Sequence, residues 1–382
     1  MATPTLALIP SGYGTNKVYS VLPSDGSGDF TFGRTGTATR INKDKLIEVV
    51  GSNIPRLDYT DSGCPSLLLE AQRTNFVIKS NDFSALSGGF VTPNYGTSPE
   101  GLSVSRILFT APNQSMSANT SLATNVVCNF SAYVKGVQGE FIKFAVGGVD
   151  VAHTFSGEWE RLSASRTSIN SSWNLNTYGG ATARDFLLCG VQLEQGSYPT
   201  SYIPNYGESA GVTRLAETAN SSGNASTFND SEGVFMMEGA LLSELINDAR
   251  ISISDGSSVE NRITFRYLDD NELSVQTGFT NGFSETVTLN SIEDYNKIAL
   301  VYNSLNASIF VNGFKVATNT MSALSGLSQL QFNRFGGTAN DFYGNTKQLQ
   351  YFNTALTDLE LETLTSFTSF NAMALNFNYT IY

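Results

Sequence analysis

The chain has a single histidine, His153, within Val-Ala-His-Thr-Phe at 151–155, a run that reads as a strand. A serine or cysteine nucleophile would need that imidazole as its base. Neither a nucleophile elbow nor a metal-ligand spacing accompanies it, so a structural or surface histidine is expected. Glycoside hydrolysis needs only two carboxylates, and Asp358, Glu360 and Glu362 alternate as acids on one face of a strand would. However, Thr357 with Glu360 three residues on makes a capping box, and Leu356 and Leu361 are placed for a hydrophobic staple. Leu361, Leu364 and Phe367 follow at helical spacing. The segment is therefore predicted to be a short helix, with its acids scattered around an axis and complementing the helix dipole. Asp269-Asp270-Asn271 and the turn from Asp25 to Asp29 offer oxygen ligands to calcium, but neither has the spacing of a dedicated loop, and turn formation accounts for both. Trp159 and Trp173 are the residues best able to stack on sugar rings. Trp159, in a Trp-x-Arg strand, is assigned to the core. Trp173 lies in the polar run Asn170-Ser171-Ser172-Trp173-Asn174 and is the candidate sugar-stacking residue. No catalytic residue, metal site or cofactor is assigned.

The elements that would position these residues are strands. Cys128, Phe130, Ala132 and Val134 alternate with Asn129, Ser131, Tyr133 and Lys135, and Ile142, Phe144 and Val146 repeat the pattern one strand later. A one-residue slip would turn either apolar set into water, so register is strongly specified. Further strands are read at 233–238, 251–254, 263–267, 298–302 and 307–316, the last interrupted by Asn312-Gly313, a tight hairpin signal. The stretch from Gly190 to Asn205 ends one strand, with Leu187, Cys189, Val191 and Leu193 on one face and Phe186, Leu188, Gly190 and Gln192 on the other. It leaves the sheet through Gly196, Pro199 and Pro204, while Tyr198, Tyr202 and Ile203 pack the exit back onto the domain.

A chain of 382 residues is long for one sandwich, so two domains are expected. Hydrophobic content of 41% with only 15% charged residues supports packed cores and excludes a disordered chain. A net charge of −12 without a Lys/Arg cluster argues against nucleic acid. Three cysteines, Cys64, Cys128 and Cys189, have no paired spacing, and the latter two fall on apolar strand faces, so buried reduced thiols are expected. The first residues show no basic, apolar leader, and no segment reaches the length of a membrane span. The expectation is folding in a bacterial cytoplasm without membrane insertion.

Three sets of residues carry a resemblance. The opening set is Pro55-Arg56-Leu57-Asp58-Tyr59, Leu67 through Asn75, and Ser80-Asn81-Asp82-Phe83-Ser84. The middle is Gly157-Glu158-Trp159-Glu160-Arg161-Leu162-Ser163, and the end is the Gly190–Asn205 stretch. In this order they resemble a β-sandwich module of tailed-phage fibre, spike and decoration proteins. The later strands, with Phe342-Tyr343-Gly344-Asn345, Leu349 through Asn353 and Ala355-Leu356-Thr357-Asp358, resemble a laminin-G-like, concanavalin-A-like sandwich.

The expected fold is all-β: two jelly-roll-like antiparallel β-sandwiches, a β-rich N-terminal arm and a short C-terminal helix. The arm, 1–54, is expected to pack on a first sandwich at 55–215 or to form a small attachment domain. A linker at 216–231, anchored at most by Phe228, leads to the laminin-G-like sandwich at 232–382. Phe377, Tyr379 and Ile381 alternate in a last strand expected to pair within its own sandwich or with a neighbouring subunit. The resemblance implies a non-enzymatic virion protein presenting lectin-like domains to a host cell-surface glycan, with other virion proteins as partners and a homotrimer as its assembly. A purely structural head or tail decoration protein and a sandwich-fold polysaccharide depolymerase are the alternatives.

Overall fold

The computed structural model describes residues 2–367 apart from 62, 87–89, 147, 180–182, 279–281 and 335–339. Among the described residues the chain is built from antiparallel sheets and one short helix, Asp358–Thr365, in keeping with the all-β class read from the alternation. The chain divides into two compact units. The first takes residues 1–35, 52–70 and 217–382, and the second takes 36–51 and 71–216.

The first unit contains the later of the two expected sandwiches. One large sheet runs in the order Phe314–Thr320, Asn306–Val311, Asn296–Asn303, Glu232–Leu241, Gly344–Phe352, Ser66–Leu69 and Arg56–Asp58. A five-stranded sheet runs Ser284–Thr288, Glu272–Thr277, Arg262–Tyr267, Ala249–Ser254 and Gln329–Gln331. Period-two alternation sends Phe235, Ile298, Leu300 and Leu349 from one sheet and Ile251, Ile263, Phe265 and Val275 from the other into one core. Phe235 stacks on Phe265 there, with centroids 4.5 Å apart. Asn312 (φ 50°) and Gly313 (φ 91°) supply the two left-handed positions of the expected hairpin turn, closing Val311 against Phe314. The other face of the large sheet, with Val234, Met236, Phe310 and Phe352, packs against Leu356 and Leu361, the two staple residues. Thr357 caps the helix as its capping box requires, accepting from the Glu360 amide while the Glu360 carboxylate accepts from the Thr357 amide. Thr357→Ala is expected to cost about 1 kcal/mol, measured as a lowered denaturant midpoint with an unchanged slope.

The N-terminal residues and the 216–231 segment depart from expectation. The strand Gly344–Phe352 pairs along one edge with Glu232–Leu241. Its other edge is shared end to end, Leu67–Leu69 lying beside Gly344–Thr346 and Leu6–Leu8 beside Leu349–Tyr351. Residues 1–35, and also 52–70 that the sequence assigned to the first sandwich, thus belong with the later sandwich, while residues 36–51 of the arm join the unit at 71–216. Nor is 216–231 a linker. Thr218–Asn220 pairs with Thr31–Gly33, Ala219 is fully buried, Ser222 bridges to Leu330, and Phe228 sits edge-on to Tyr351 at 4.9 Å. Its small polar residues serve a narrow strand between packed neighbours, a role that composition does not separate from that of an exposed loop. The strand expected at 377–381 lies outside the described residues.

A buried charge cluster belongs to the same unit. The Glu217 carboxylate accepts from Arg34 Nη1 (2.6 Å), Arg56 Nε (2.8 Å) and Nη2, and the Glu70 amide (3.0 Å), while Arg56 Nη1 also reaches Glu70 (2.5 Å). Burial disfavours the charged Arg56, but Glu217 and Glu70 together outweigh it and hold the guanidinium above its ordinary range. Arg34, Glu70 and Glu217 each lie within a residue of a point where the chain leaves or re-enters the unit.

The second unit packs a five-stranded sheet, in the order Val91–Thr97, Ser103–Phe109, Arg184–Gln195, Val127–Lys135, Glu160–Thr167, against a four-stranded one, Ser115–Asn119, Ser172–Asn176, Phe141–Val146, Val149–Thr154. Cys128, Phe130, Ala132, Val134, Ile142, Phe144 and Val146 all reach its core, as their alternation requires. The long strand Arg184–Gln195 changes phase. Phe186 and Leu188 point inward, then Val191 and Leu193, instead of the unbroken set Leu187, Cys189, Val191 and Leu193. The cause is a bulge opposite Val127–Lys135, where the register shifts between Ser131 and Tyr133 and Gly190 adopts φ 57°. A Cβ at Gly190 would lie 2.9 Å from Leu102 and from Tyr133, and its amide is held by Asn81 at 2.8 Å. The exit behaves as read, with Tyr198, Tyr202 and Ile203 all buried.

No disulfide joins the three cysteines; Cys128 and Cys189 are buried and Cys64 is exposed. Burial raises the Cys128 pKa and pushes Cys189 up to about 12, which suppresses the reactive thiolate. One thiol per native chain, Cys64, is expected to react with a disulfide reagent at neutral pH, and all three after denaturation.

Candidate functional site

The residues proposed from sequence do not converge. Trp173 is a core residue, 1% exposed, set against Phe83 and Phe130 in the second unit. It cannot stack on a sugar. The polar letters around it are the outward positions of strand Ser172–Asn176, whose inward positions are Trp173 and Leu175. Trp159, assigned to the core, is half-buried between strands. His153 sits edge-on to Phe155 and places Nε2 3.4 Å from Glu160. Asp358 pairs with Lys315 at 3.0 Å, and Glu360 is taken up in the helix cap. Asp25 accepts from Ser27, and Asp270 and Asn271 supply left-handed positions in a turn whose Asn271 side chain accepts from the Ile292 amide. Among the described residues no group of three His, Cys, Asp or Glu side chains is placed to hold a metal ion.

The arrangement with chemical content is the outer face of the five-stranded sheet in the first unit. On its three middle strands the inward positions are mainly apolar, and the outward ones are polar, mostly donors, with Glu272 among them as an acceptor. Arg250 stands directly opposite Arg266, Ser252 opposite Thr264 and Ser254 opposite Arg262. Arg266 and Thr264 meet Ser274 and Gln276 on the next strand, and Ser252 and Ser254 meet Gln331 and Gln329 on the other side. Hydroxyls lie beneath longer side chains: Ser252 Oγ is 3.2 Å from Thr264 Oγ1, and Gln276 and Gln331 donate to Ser274 and Ser254.

Two arginines facing each other across strands repel, and Asp248 offsets this. Its Oδ1 accepts from Nε of both Arg250 and Arg266 at 2.6 Å, and its Oδ2 from Arg250 Nη2 at 3.0 Å and from Asn340 at 2.9 Å. Burial raises the Asp248 pKa, but the hydrogen bonds and charges of the two arginines outweigh it and hold the carboxylate below its usual range. Arg262 lies deeper, 2% exposed. Burial first, then the positive charges of Arg250 and Arg334, pull its pKa down to about 10 against the opposing pull of Glu260. Asp341, at the edge of the patch, is raised by burial despite a 3.1 Å hydrogen bond from Tyr343. Arg266 and Arg334 remain partly exposed. Most of this face is covered: Ser252, Ser254 and Thr264 are fully buried, and Arg250, Arg262, Ser274 and Gln331 nearly so. Its partly exposed members, Arg266, Gln276, Gln329 and Arg334, are the donors an oxygen-rich ligand can reach.

The sequence holds a signal for this face. Arg262, Thr264 and Arg266 alternate with Ile263, Phe265 and Tyr267, and Arg250, Ser252 and Ser254 alternate with Ile251 and Ile253. A strand whose polar positions are arginines, and not lysines or glutamates, marks a face with a geometric task.

The second unit carries a groove of about 260 Å³ lined by Thr39, Val49, Tyr202, Pro204, Tyr206 and Glu208 among others. Tyr206 is 84% exposed. The Asn205 side chain fixes the turn beneath it by accepting from the amides of Gly207 (2.9 Å) and Glu208 (2.8 Å). Tyr206 therefore presents the exposed ring that Trp173 was expected to present, and its signal is the turn Pro204-Asn205-Tyr206-Gly207.

No curated protein matches this chain. Solved structures with partial likeness include the CBM40 module of the Ruminococcus gnavus IT-sialidase, at 18% identity over 38% of this chain and 92% of that one, with a TM-score of 0.32. Another is domain 4 of AbnA, an extracellular arabinanase of Geobacillus stearothermophilus, at 10% identity over 42% and 79% of the two chains, with a TM-score of 0.33. The NanB sialidase of Streptococcus pneumoniae matches at 17% identity over 37% of this chain and 25% of that one, with a TM-score of 0.31. Residues 243–362, which include all five strands of the arginine-bearing sheet, match the family described as the concanavalin A-like lectin/glucanases superfamily, and the sandwich of the first unit is lectin-like in that sense.

Proposed function

We propose that this chain is an adsorption protein of a tailed-phage particle, a fibre, spike or decoration protein that binds a cell-surface carbohydrate and does not cleave it. The observation that carries the binding half is the donor-lined outer face of the five-stranded sheet, lying within the residues that match a lectin superfamily. Sugars offer hydroxyls in a row, and the partly exposed Arg266, Gln276, Gln329 and Arg334 of this face are donors for them. The non-cleaving half is supported by where the carboxylates stand. Asp248 is held by two arginines, Glu360 by its helix cap, and Asp358 by Lys315. The virion half rests on the markers at 55–84, 157–163 and 190–205. A sandwich alone does not assign a task, since similar folds serve as plain scaffolds. Homotrimeric assembly and contact with other virion proteins belong to the same proposal, and several copies per particle would raise a weak single-site affinity.

Adsorption of the purified protein to host cells, with and without their surface polysaccharide, tests this reading beside an assay for released reducing ends. Binding that disappears with the polysaccharide, without new reducing ends, is the expected result. Equal adsorption to stripped cells would leave the structural decoration role, and reducing ends growing with time would reveal a depolymerase.

A further inference from the structure

The geometry points to a separate glycan site in the groove beside Tyr206, whose ligand is an uncharged sugar ring offering two neighbouring hydroxyls. This deepens the glycan-binding reading and rests on it, but it makes no use of the arginine-bearing sheet. The groove holds about 260 Å³, and every residue lining it belongs to the second unit. One wall is the hairpin of Ala38–Ile41 and Ile47–Val50, which pairs with no other strand among the described residues. It is tied down by Thr39 Oγ1, which donates to the Tyr202 carbonyl, and by the Ile47 amide, which donates to the Glu100 carbonyl at 2.8 Å. Its register sets Thr39 opposite Val49, and Val49 is left 57% exposed. The other wall is the turn after Pro204. There the Asn205 amide donates to Ser80 Oγ at 2.9 Å, and the Asn205 carbonyl accepts from the Ser80 amide at 2.8 Å. Tyr202 Oη lies 2.6 Å from the same Ser80 hydroxyl. Tyr206 is thus anchored at its base while its ring stays in solvent.

Neither Tyr206 nor Val49 belongs to the core of the unit, so folding does not call for these apolar side chains. One exposed apolar residue is ordinary, whereas two lining a single groove mark a place where something can be covered. A tyrosine ring offers a broad contact with only two rotatable bonds to fix, and a turn held this firmly loses little more freedom on binding. The C–H face of a pyranose packs on such a ring and leaves its hydroxyls pointing outward around the edge. Glu208 and Thr37 line the same groove and are exposed, and neither side chain takes a hydrogen bond or ion pair among the described residues. A free carboxylate has two oxygens, which can accept from two adjacent hydroxyls in charge-assisted bonds. Arg214 also lines the groove, but it is 1% exposed and donates to Thr200, Ser201 and the Ala71 carbonyl. The charge a ligand meets here is therefore negative, in a chain whose net charge is −12. Like charge repels acidic sugars from such a groove and leaves uncharged ones as its ligands.

The test prints uncharged polysaccharides (glucans, mannans and galactans) beside carboxylated ones and probes them with the full-length protein. Each uncharged member is printed in native form and after periodate cleavage of its neighbouring hydroxyls followed by borohydride reduction, which adds no charge. The expected result is binding to an uncharged member that falls about tenfold or more after that treatment. Tyr206→Ala and Glu208→Gln should each weaken the native binding roughly tenfold, the scale of one aromatic contact or one charge-assisted hydrogen bond. Tyr206→Phe, which keeps the ring, should retain most of it. Ile169→Ala, at a side chain 65% exposed elsewhere in the same unit, should change nothing. Native binding that Tyr206→Ala and Glu208→Gln both leave intact would overturn the groove assignment and leave the glycan reading standing on the sheet face. Binding confined to carboxylated members would overturn it as well. A Tyr206→Ala protein whose mass in solution falls would assign the groove to contact between copies of the chain instead. Silence across the whole panel would sink both the assignment and the glycan reading. The comparison of native with periodate-treated members needs no variant, so it decides even if a replacement fails to fold.

Discussion

Replacing Glu217 with Ala will destabilise the first unit by about 3–5 kcal/mol, the range for breaking a buried ion pair by removing one partner. Its carboxylate accepts from two guanidiniums and the Glu70 amide, so the truncation leaves Arg34 without the Glu217 contact and Arg56 with only Glu70 of its two carboxylates. Equilibrium denaturation, followed by a probe in the lectin-like unit, gives the measurement. Apolar residues of similar volume at Arg34, Arg56, Glu70 and Glu217 together should recover much of the loss, because pairs buried at such cost are often replaceable as a set. A Glu217→Ala loss below about 1 kcal/mol, the level of a surface pair, would show that water reaches the cluster.

The second large effect concerns the fragment 232–382, the boundaries that composition suggests for the lectin-like sandwich. It will fail to reach a fixed tertiary structure. Without the N-terminal residues, strand Gly344–Phe352 loses the partners of one entire edge, Leu6–Leu8 and Ser66–Leu69. The core loses Leu6, Leu8, Phe30, Phe32, Leu67, Leu69 and Phe228 as well. Burying a large apolar side chain contributes about 1.5–3 kcal/mol, so the seven together amount to about 10–21 kcal/mol, as much as the roughly 5–15 kcal/mol net stability of a typical domain. Near-ultraviolet circular dichroism and dye binding to exposed apolar surface would report the outcome. A fragment with sharp side-chain signals and no dye binding would show that the N-terminal strands decorate the sandwich without completing it.

Much of the fold was legible because strand alternation is a local property. The inward sets at 128–134 and 142–146, the Asn312-Gly313 turn and the Thr357 cap each follow from a few neighbouring residues. Three things were missed, the first two because they depend on residues far apart in sequence. The partnership of Leu6–Leu8 with Leu349–Tyr351 spans nearly the whole chain, and nothing local in Leu-Ala-Leu names the partner. The phase change at Gly190 depends on the register of an opposing strand. Trp173 looked exposed because its flanking residues are polar, whereas period two makes polar neighbours the normal company of a buried strand residue. The candidate site was half legible: the arginines alternate openly, but their convergence depends on the cross-strand register that sets Arg250 opposite Arg266.

The shared edge of strand Gly344–Phe352 also has a consequence in time. On the ribosome, the segment Ser66–Leu69 emerges long before the strand it must pair with. At about 5–20 residues per second, roughly 15–60 seconds separate the two. The second unit, whose residues 36–51 precede Ser66–Leu69 and whose residues 71–216 follow it, is complete within that interval and can fold while the lectin-like unit cannot. Leu6–Leu8 and Ser66–Leu69 meanwhile wait as apolar, unpaired edges, the kind of surface that nascent chains use to find wrong partners. Slowing translation after residue 216 should therefore lower the yield of soluble protein, and a holding chaperone that covers extended apolar segments should restore it.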